Sequence, residues 1–175
     1  MFDADNQQER LIGWITGFVD GEGCFSIGFV KQGNRKEKSR TRKGYRTGYQ
    51  VIHEFAVTQG ESSLKSLQIF KDYFQVGQVV INRRYDNHKE QLYRYVVRKR
   101  EDLLKVIIPF FQTYELQTAK RNDFEKFVQC VELMNQNEHL THAGIIRIAQ
   151  ITEQMNRKKS RAELIRILRD HTPNP

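Results

Sequence analysis

Asp20 and Glu22 stand either side of Gly21 in the stretch Leu11 to Gly23, which reads LIGWITGFVDGEG. A segment with so little side-chain bulk cannot bury two carboxylates, so they either face water or gather around a cation. A donor set made of carboxylate and carbonyl oxygen suits magnesium rather than zinc. Cys24 and Cys130 lack metal-ligand spacing, and His53, His88, His139, His142 and His171 form no zinc pattern. His139 and His142 are expected to face solvent. The competing reading makes the same residues a helix C-cap and a turn into a strand.

One amphipathic helix must deliver these acids, which are expected just past its last turn. Gly13, Gly17 and Gly21 recur at intervals of four and so share one helical face. Glycine inside a helix costs about 1 kcal/mol against alanine, so a stripe of three asks for a packing reason. A second helix crossing closely would supply it and would bring two more acids to the same place. No second copy of the segment occurs, so that helix is expected from a second molecule, making a homodimer.

The run Ile15-Thr16-Gly17-Phe18-Val19-Asp20-Gly21-Glu22-Gly23 resembles, type for type, the LAGLIDADG signature of homing endonucleases and their maturase relatives. The resemblance implies that Glu22 and the Gly21 carbonyl hold the divalent ion, and that Asp20 is more structural than catalytic. It implies Mg2+, with Mn2+ expected to substitute and Ca2+ to bind without supporting cleavage. Gln59 matches a polar residue that the family keeps close to the scissile phosphate and its waters. Lys120 matches a basic residue near the active centre, with Arg121 and Lys65 as substitutes. Ser63 stands where some members carry an arginine.

Charge points to the same partner. The chain carries 29 Lys and Arg against 21 Asp and Glu, a formal net charge of +8. Within residues 31 to 50, eight cations (Lys31, Arg35, Lys36, Lys38, Arg40, Arg42, Lys43 and Arg46) face one acid, Glu37. A solvated loop is the ordinary reading of such a block. Lying between two strands and carrying Gly33, Gly44, Gly48, Tyr45 and Tyr49, it reads better as a flexible arm on a phosphate backbone.

Alternation of apolar and polar residues gives the strands. Phe25, Ile27 and Phe29 oppose Ser26, Gly28, Val30 and Gln32. Val51, Phe55 and Val57 oppose Gln50, Glu54, Ala56 and Thr58. A second hairpin, 78–84 with 91–98, follows a helix over 61–74 and offers Gln78, Asn82, Arg84, Arg94 and Arg98. Helices over 101–111, interrupted by Pro109, and over 119–134 complete the order helix, strand, strand, helix, strand, strand, helix. This predicts an α+β fold with a four-stranded antiparallel sheet, helices on one face and the other face wet. The resemblance implies the same αββαββα core, spanning about Leu11 to Met134, and implies that the wet face reads double-stranded DNA.

By that resemblance the base-reading candidates are Ser26, Gly28, Val30, Gln32, Gln50, Ile52, Glu54, Gln78, Asn82, Arg84 and Arg94. The small and apolar ones imply water, methyl contacts or DNA shape at those steps. Residues 1–134 are expected to form the core domain and 135–175 a C-terminal helical extension packed on it. There, Thr141 and Ser160 are expected N-caps, with Glu163 completing a capping box. No apolar run is long enough to cross a membrane, and no targeting segment is expected ahead of the first helix. The expected compartment is a reducing interior, the cytoplasm of a prokaryote or, if the chain is organelle-encoded, the organelle interior.

The activity implied is divalent-metal-dependent hydrolysis of both strands of a long, partly palindromic DNA target by an intron-encoded homodimer. Two alternatives share the scaffold: an RNA maturase acting on its host intron, and a non-catalytic DNA-binding regulator. Glu22 and Gln59 at their expected places favour cleavage.

Overall fold

The computed structural model describes residues 2–32, 35–37, 40–42, 44–83, 90–155 and 161–170; within 33–43 no side chain is described. Lys38 and Arg84 lie outside the described residues, as do Ser160 and the side chains of Lys36, Arg40 and Arg42. No described helix is long and apolar enough to cross a membrane.

Helix α1 (Phe2–Glu22) leads directly into strand β1 (Gly23–Lys31). It begins at Phe2 rather than near Leu11, because Gln7, Gln8, Glu9 and Arg10 are straight-chain residues that extend a helix readily. It also runs through Asp20 and Glu22, which therefore belong to its last turn instead of following it. The abrupt junction depends on Gly23, where a Cβ would stand 2.8 Å from the Val19 carbonyl oxygen.

Short strands β2 (Arg35–Glu37) and β3 (Arg40–Arg42) pair antiparallel, Arg35 with Arg42 and Glu37 with Arg40. The basic stretch, expected as an irregular flexible arm, thus contains a two-stranded ladder. Strand β4 (Tyr49–Gly60) follows, then helix α2 (Leu64–Phe74) after one 3-10 turn, Glu61–Ser63. Strands β5 (Gln78–Ile81) and β6 (Leu92–Val97) complete a sheet of order β1-β4-β6-β5, antiparallel as expected.

Helix α3 (Arg100–Asp102) passes through a π-helical turn, Leu103–Ile107, into α4 (Ile108–Thr113). Proline cannot donate to a carbonyl four residues back, and the widened turn just before Pro109 lets the helical path continue where an interruption was expected. Helices α5 (Lys120–Asn135), α6 (His142–Thr152) and α7 (Ala162–Asp170) close the chain. Thr141 caps α6 as predicted, its hydroxyl accepting from the Gly144 N–H at 2.9 Å.

The chain divides into two compact units. The first, residues 1–25 and 54–121, has an aromatic core: Phe25 stacks on Phe55, and Phe70 and Phe74 stack on Tyr95. The Tyr95 hydroxyl donates to the Val76 carbonyl at 3.0 Å, satisfying its buried oxygen. Paired residues Ala56 and Val96, on the face opposite Phe55 and Val57, are each 1% exposed. That face was expected to be wet throughout; at its centre these two side chains are buried.

The second unit, residues 26–53 and 122–175, buries Phe124, Phe127, Val131 and Met134 of α5, Ile145 and Ile148 of α6, and Ile165 and Leu168 of α7. Arg161 lies over the Phe29 ring at 5.6 Å, and its N–H donates to Glu153 at 2.9 Å. His139 and His142 are half-buried rather than solvent-facing.

Candidate functional site

Glu22 is exposed in the last turn of α1, where the final carbonyls of a helix have no partner further along it. Asp20, two residues earlier, is occupied. Its carboxylate accepts from the Gln117 N–H at 2.8 Å, the Thr118 N–H at 3.1 Å and the Thr118 hydroxyl at 2.8 Å. Burial opposes its charge, but these hydrogen bonds and the charge of Lys120 hold its carboxyl below the usual carboxylate range.

Asp20 thereby fixes the turn into α5. The Thr118 hydroxyl passes the connection on by accepting from the Lys120 N–H at 3.2 Å. From the first position of α5, the Lys120 ammonium donates to the carbonyl of Gly23, the residue after Glu22. Arg121, its candidate substitute, is bound instead by Glu115 through two hydrogen bonds of 2.8 and 3.0 Å. Lys65 is exposed at the start of α2.

Gln59 pairs with Tyr93 near the end of β4 and is half-buried. By alternation it shares the side of Phe55 and Val57 rather than the side of Glu54. Next to it, a Cβ on Gly60 would collide with the Glu90 carboxylate, which accepts from the Ser62 N–H at 3.2 Å. Neither Glu90 nor the Asp20 to Thr118 connection leaves a local pattern in the sequence, since each links residues far apart along the chain.

The glycine stripe is open in the single chain. A Cβ on Gly13, Gly17 or Gly21 would meet nothing within 4 Å. A groove along it is lined by Gly13, Thr16, Gly17, Asp20, Tyr114 and Gln117. Glu22 and the Gly21 carbonyl are hard oxygen donors that fit a divalent ion such as magnesium or calcium. They make only part of a coordination shell: among the described residues no three metal-binding side chains cluster.

On the sheet in the first unit, Gln78 is exposed and Asn82 half-buried, its N–H donating to the Leu92 carbonyl at 2.8 Å. Arg94 and Glu54 are bound to each other, and Arg98 joins Glu54 at 2.9 Å. In the second unit, Gln32 donates through Nε2 to Gln50 Oε1 at 3.2 Å. Its backbone N–H reaches the Gly48 carbonyl at 2.8 Å, pinning the root of the basic stretch. Ser26 and Gly28 are half-buried, and Val30 and Ile52 are exposed, with Ile52 lying against Gly28.

Residues 15–131 match the family model described as LAGLIDADG endonuclease. The chain belongs to the LAGLIDADG endonuclease family. It is 36% identical over 130 residues to an uncharacterized 50.9 kDa protein in ND4 intron 1 of Podospora anserina, a match covering 73% of this chain and 25% of that protein. It is 27% identical over 142 residues to probable intron-encoded endonuclease 2 of Neurospora crassa, covering 81% and 26%. The chain therefore spans about a quarter of the length of these curated relatives.

Solved LAGLIDADG structures share the fold. The homing endonuclease I-TnaI superimposes with a TM-score of 0.69 at 34% identity, covering 91% of this chain and 95% of that one. I-LtrWI bound to target DNA gives 0.73 at 32% identity, covering 89% and 47%. I-SmaMI, bound to uncleaved DNA target in the presence of calcium ions, gives 0.70 at 31% identity, covering 92% and 49%.

Proposed function

We propose that this chain is a site-specific homing endonuclease that hydrolyses both strands of double-stranded DNA at a long, partly palindromic target, with divalent metal ions and as a homodimer. The observation that carries the reading is the exposed Glu22 in the last turn of α1, with the Lys120 ammonium bound to the carbonyl of the next residue. DNA and calcium in the related I-SmaMI structure support the substrate and the class of ion. Coverage of nearly the whole I-TnaI chain supports one copy of the chain as a unit of assembly.

Glu22 and the Gly21 carbonyl bind the ion, Mg2+ in use, which when bound supplies Lewis acidity and lowers the pKa of water. Lys120 stabilises negative charge on the phosphate. Gln59 orients water at the scissile group, and Asp20 holds the turn that carries Lys120. Ser26, Gly28, Val30, Gln32 and Gln50 of the second unit, and Gln78, Asn82, Arg84 and Arg94 of the first, address base edges, directly or through water and shape. Lys36, Lys38, Arg40 and Arg42 track phosphates. Residues 1–134 act as the core and 135–175 as its extension, in the compartment of the host intron.

The test is Glu22→Gln. Cleavage in magnesium should be abolished, while DNA binding in calcium stays within about tenfold, or roughly 1.4 kcal/mol. Cutting or nicking at near wild-type rate would overturn the assignment.

A further inference from the structure

Glu54 is an acid on a strand face proposed to meet a polyanion. Its side chain is 21% exposed and its carboxylate is bound at both oxygens, to Arg94 Nη2 through Oε1 and to Arg98 Nε through Oε2 at 2.9 Å. Burial opposes its charge, and the hydrogen bonds of the two arginines hold its carboxyl below the usual carboxylate range, so it stays ionised. Arg94 is nearly as enclosed as Glu54, at 23% exposure, whereas Arg98 is 56% exposed.

An arginine that reads guanine must present two N–H groups in parallel to the base edge. A long side chain with that freedom can turn to the nearest phosphate, which attracts it regardless of sequence. Glu54 removes the freedom. Each of its oxygens already accepts from one guanidinium group. Ala56 and Val96, on the same face of the two strands, are each 1% exposed.

We infer that Glu54 is a positioning residue that holds Arg94 for base recognition and withholds it from the phosphates, trading affinity for specificity. The inference rests on the DNA-reading proposal above. It predicts that loss of the carboxylate strengthens binding to arbitrary DNA and blurs the preference that Arg94 imposes.

The experiment selects bound sites from a randomised duplex library in calcium, using the wild-type chain, Glu54→Gln, Arg94→Ala and the double variant. Salt titrations on random duplex and thermal unfolding accompany it. Glu54→Gln keeps the shape and one accepting oxygen, and unfolding as a single transition shows that it is folded. Its preference should broaden at the base pair that Arg94→Ala affects, and the double variant should be no broader than Arg94→Ala alone. Affinity for random duplex should rise several-fold, with the salt slope steeper by nearly ~1. Broadening at a different base pair would make Glu54 a direct reader, and an unchanged preference would make the cluster purely structural; either result overturns the inference. Arg94→Lys gives an independent arm: it keeps the charge and loses the fork, so it should blur the same base pair without raising affinity for random duplex. Absence of any duplex binding by the wild-type chain would overturn the endonuclease reading itself.

Discussion

Among single residues, Asp20 is a motif acid whose carboxylate is engaged within the chain. It accepts three hydrogen bonds from Gln117 and Thr118, and such charge-assisted bonds are stronger than neutral ones. Its folded pKa lies below the ordinary value of 3.8, so its contribution to stability is present above that value and lost as pH falls through the depressed one. Asp20→Asn should therefore lower stability by about 1 kcal/mol at pH 7. The gap should narrow as pH falls below 3.8 and through the depressed value, as measured by urea unfolding at pH 7 and across the acid range. An equal gap throughout would show that charge contributes nothing there. The signature and the residues aligned behind it named Glu22, Gly21, Gln59 and Lys120 as candidates, and the roles given to them above are proposals. The partners of Asp20 were not legible, because a carboxylate reaching a residue 98 positions away leaves no periodicity to read.

Among elements, α1 matters most. Its stripe at Gly13, Gly17 and Gly21 has no atom within 4 Å of where a Cβ would sit, so a larger side chain costs nothing inside the chain. A valine at Gly17 should leave the subunit fold intact and act on assembly alone. Gly17→Val should sediment as a folded monomer or aggregate, with cleavage lost, while the unaltered chain sediments as a dimer on DNA. A monomeric wild-type complex would end the two-fold scheme. Strand order and helix order followed from alternation and the 3.6-residue period, which record burial on one side. Those patterns fail where burial is two-sided or where local geometry bends: Ala56 and Val96 are dry on the face expected to be wet, and Pro109 is absorbed by a π-helical turn. The start of α1 was misplaced because residues 2–10, FDADNQQER, carry no apolar stripe at helical spacing to reveal them.

At the scale of the whole molecule, charge is the property most plainly written in the sequence and least fixed by packing. Eight cations in residues 31–50 stand on a stretch whose root is held by Gln32 and Gly48. Phosphate contacts weaken all sequences alike when removed. Neutralising Lys36, Lys38, Arg40 and Arg42 together should lower affinity for target and random duplex by similar factors and reduce the salt slope by up to ~4. Selective loss at particular base pairs would make the stretch a reading element, and an unchanged slope would place it off the DNA. Composition pointed to a polyanion as the proposed partner, while the two-unit division of the chain, with β4 running from one into the other, could not be read from it.

The two cysteines have a practical consequence. Cys24 is exposed, while Cys130 is buried in α5 with its thiol pushed up to about 12 by burial. A thiol reagent will consume one equivalent at once and the other only when the helical packing around α5 opens. The chain thus carries a built-in clock for that opening, and the rate of the slow equivalent, with and without DNA, reports whether binding tightens the C-terminal helices.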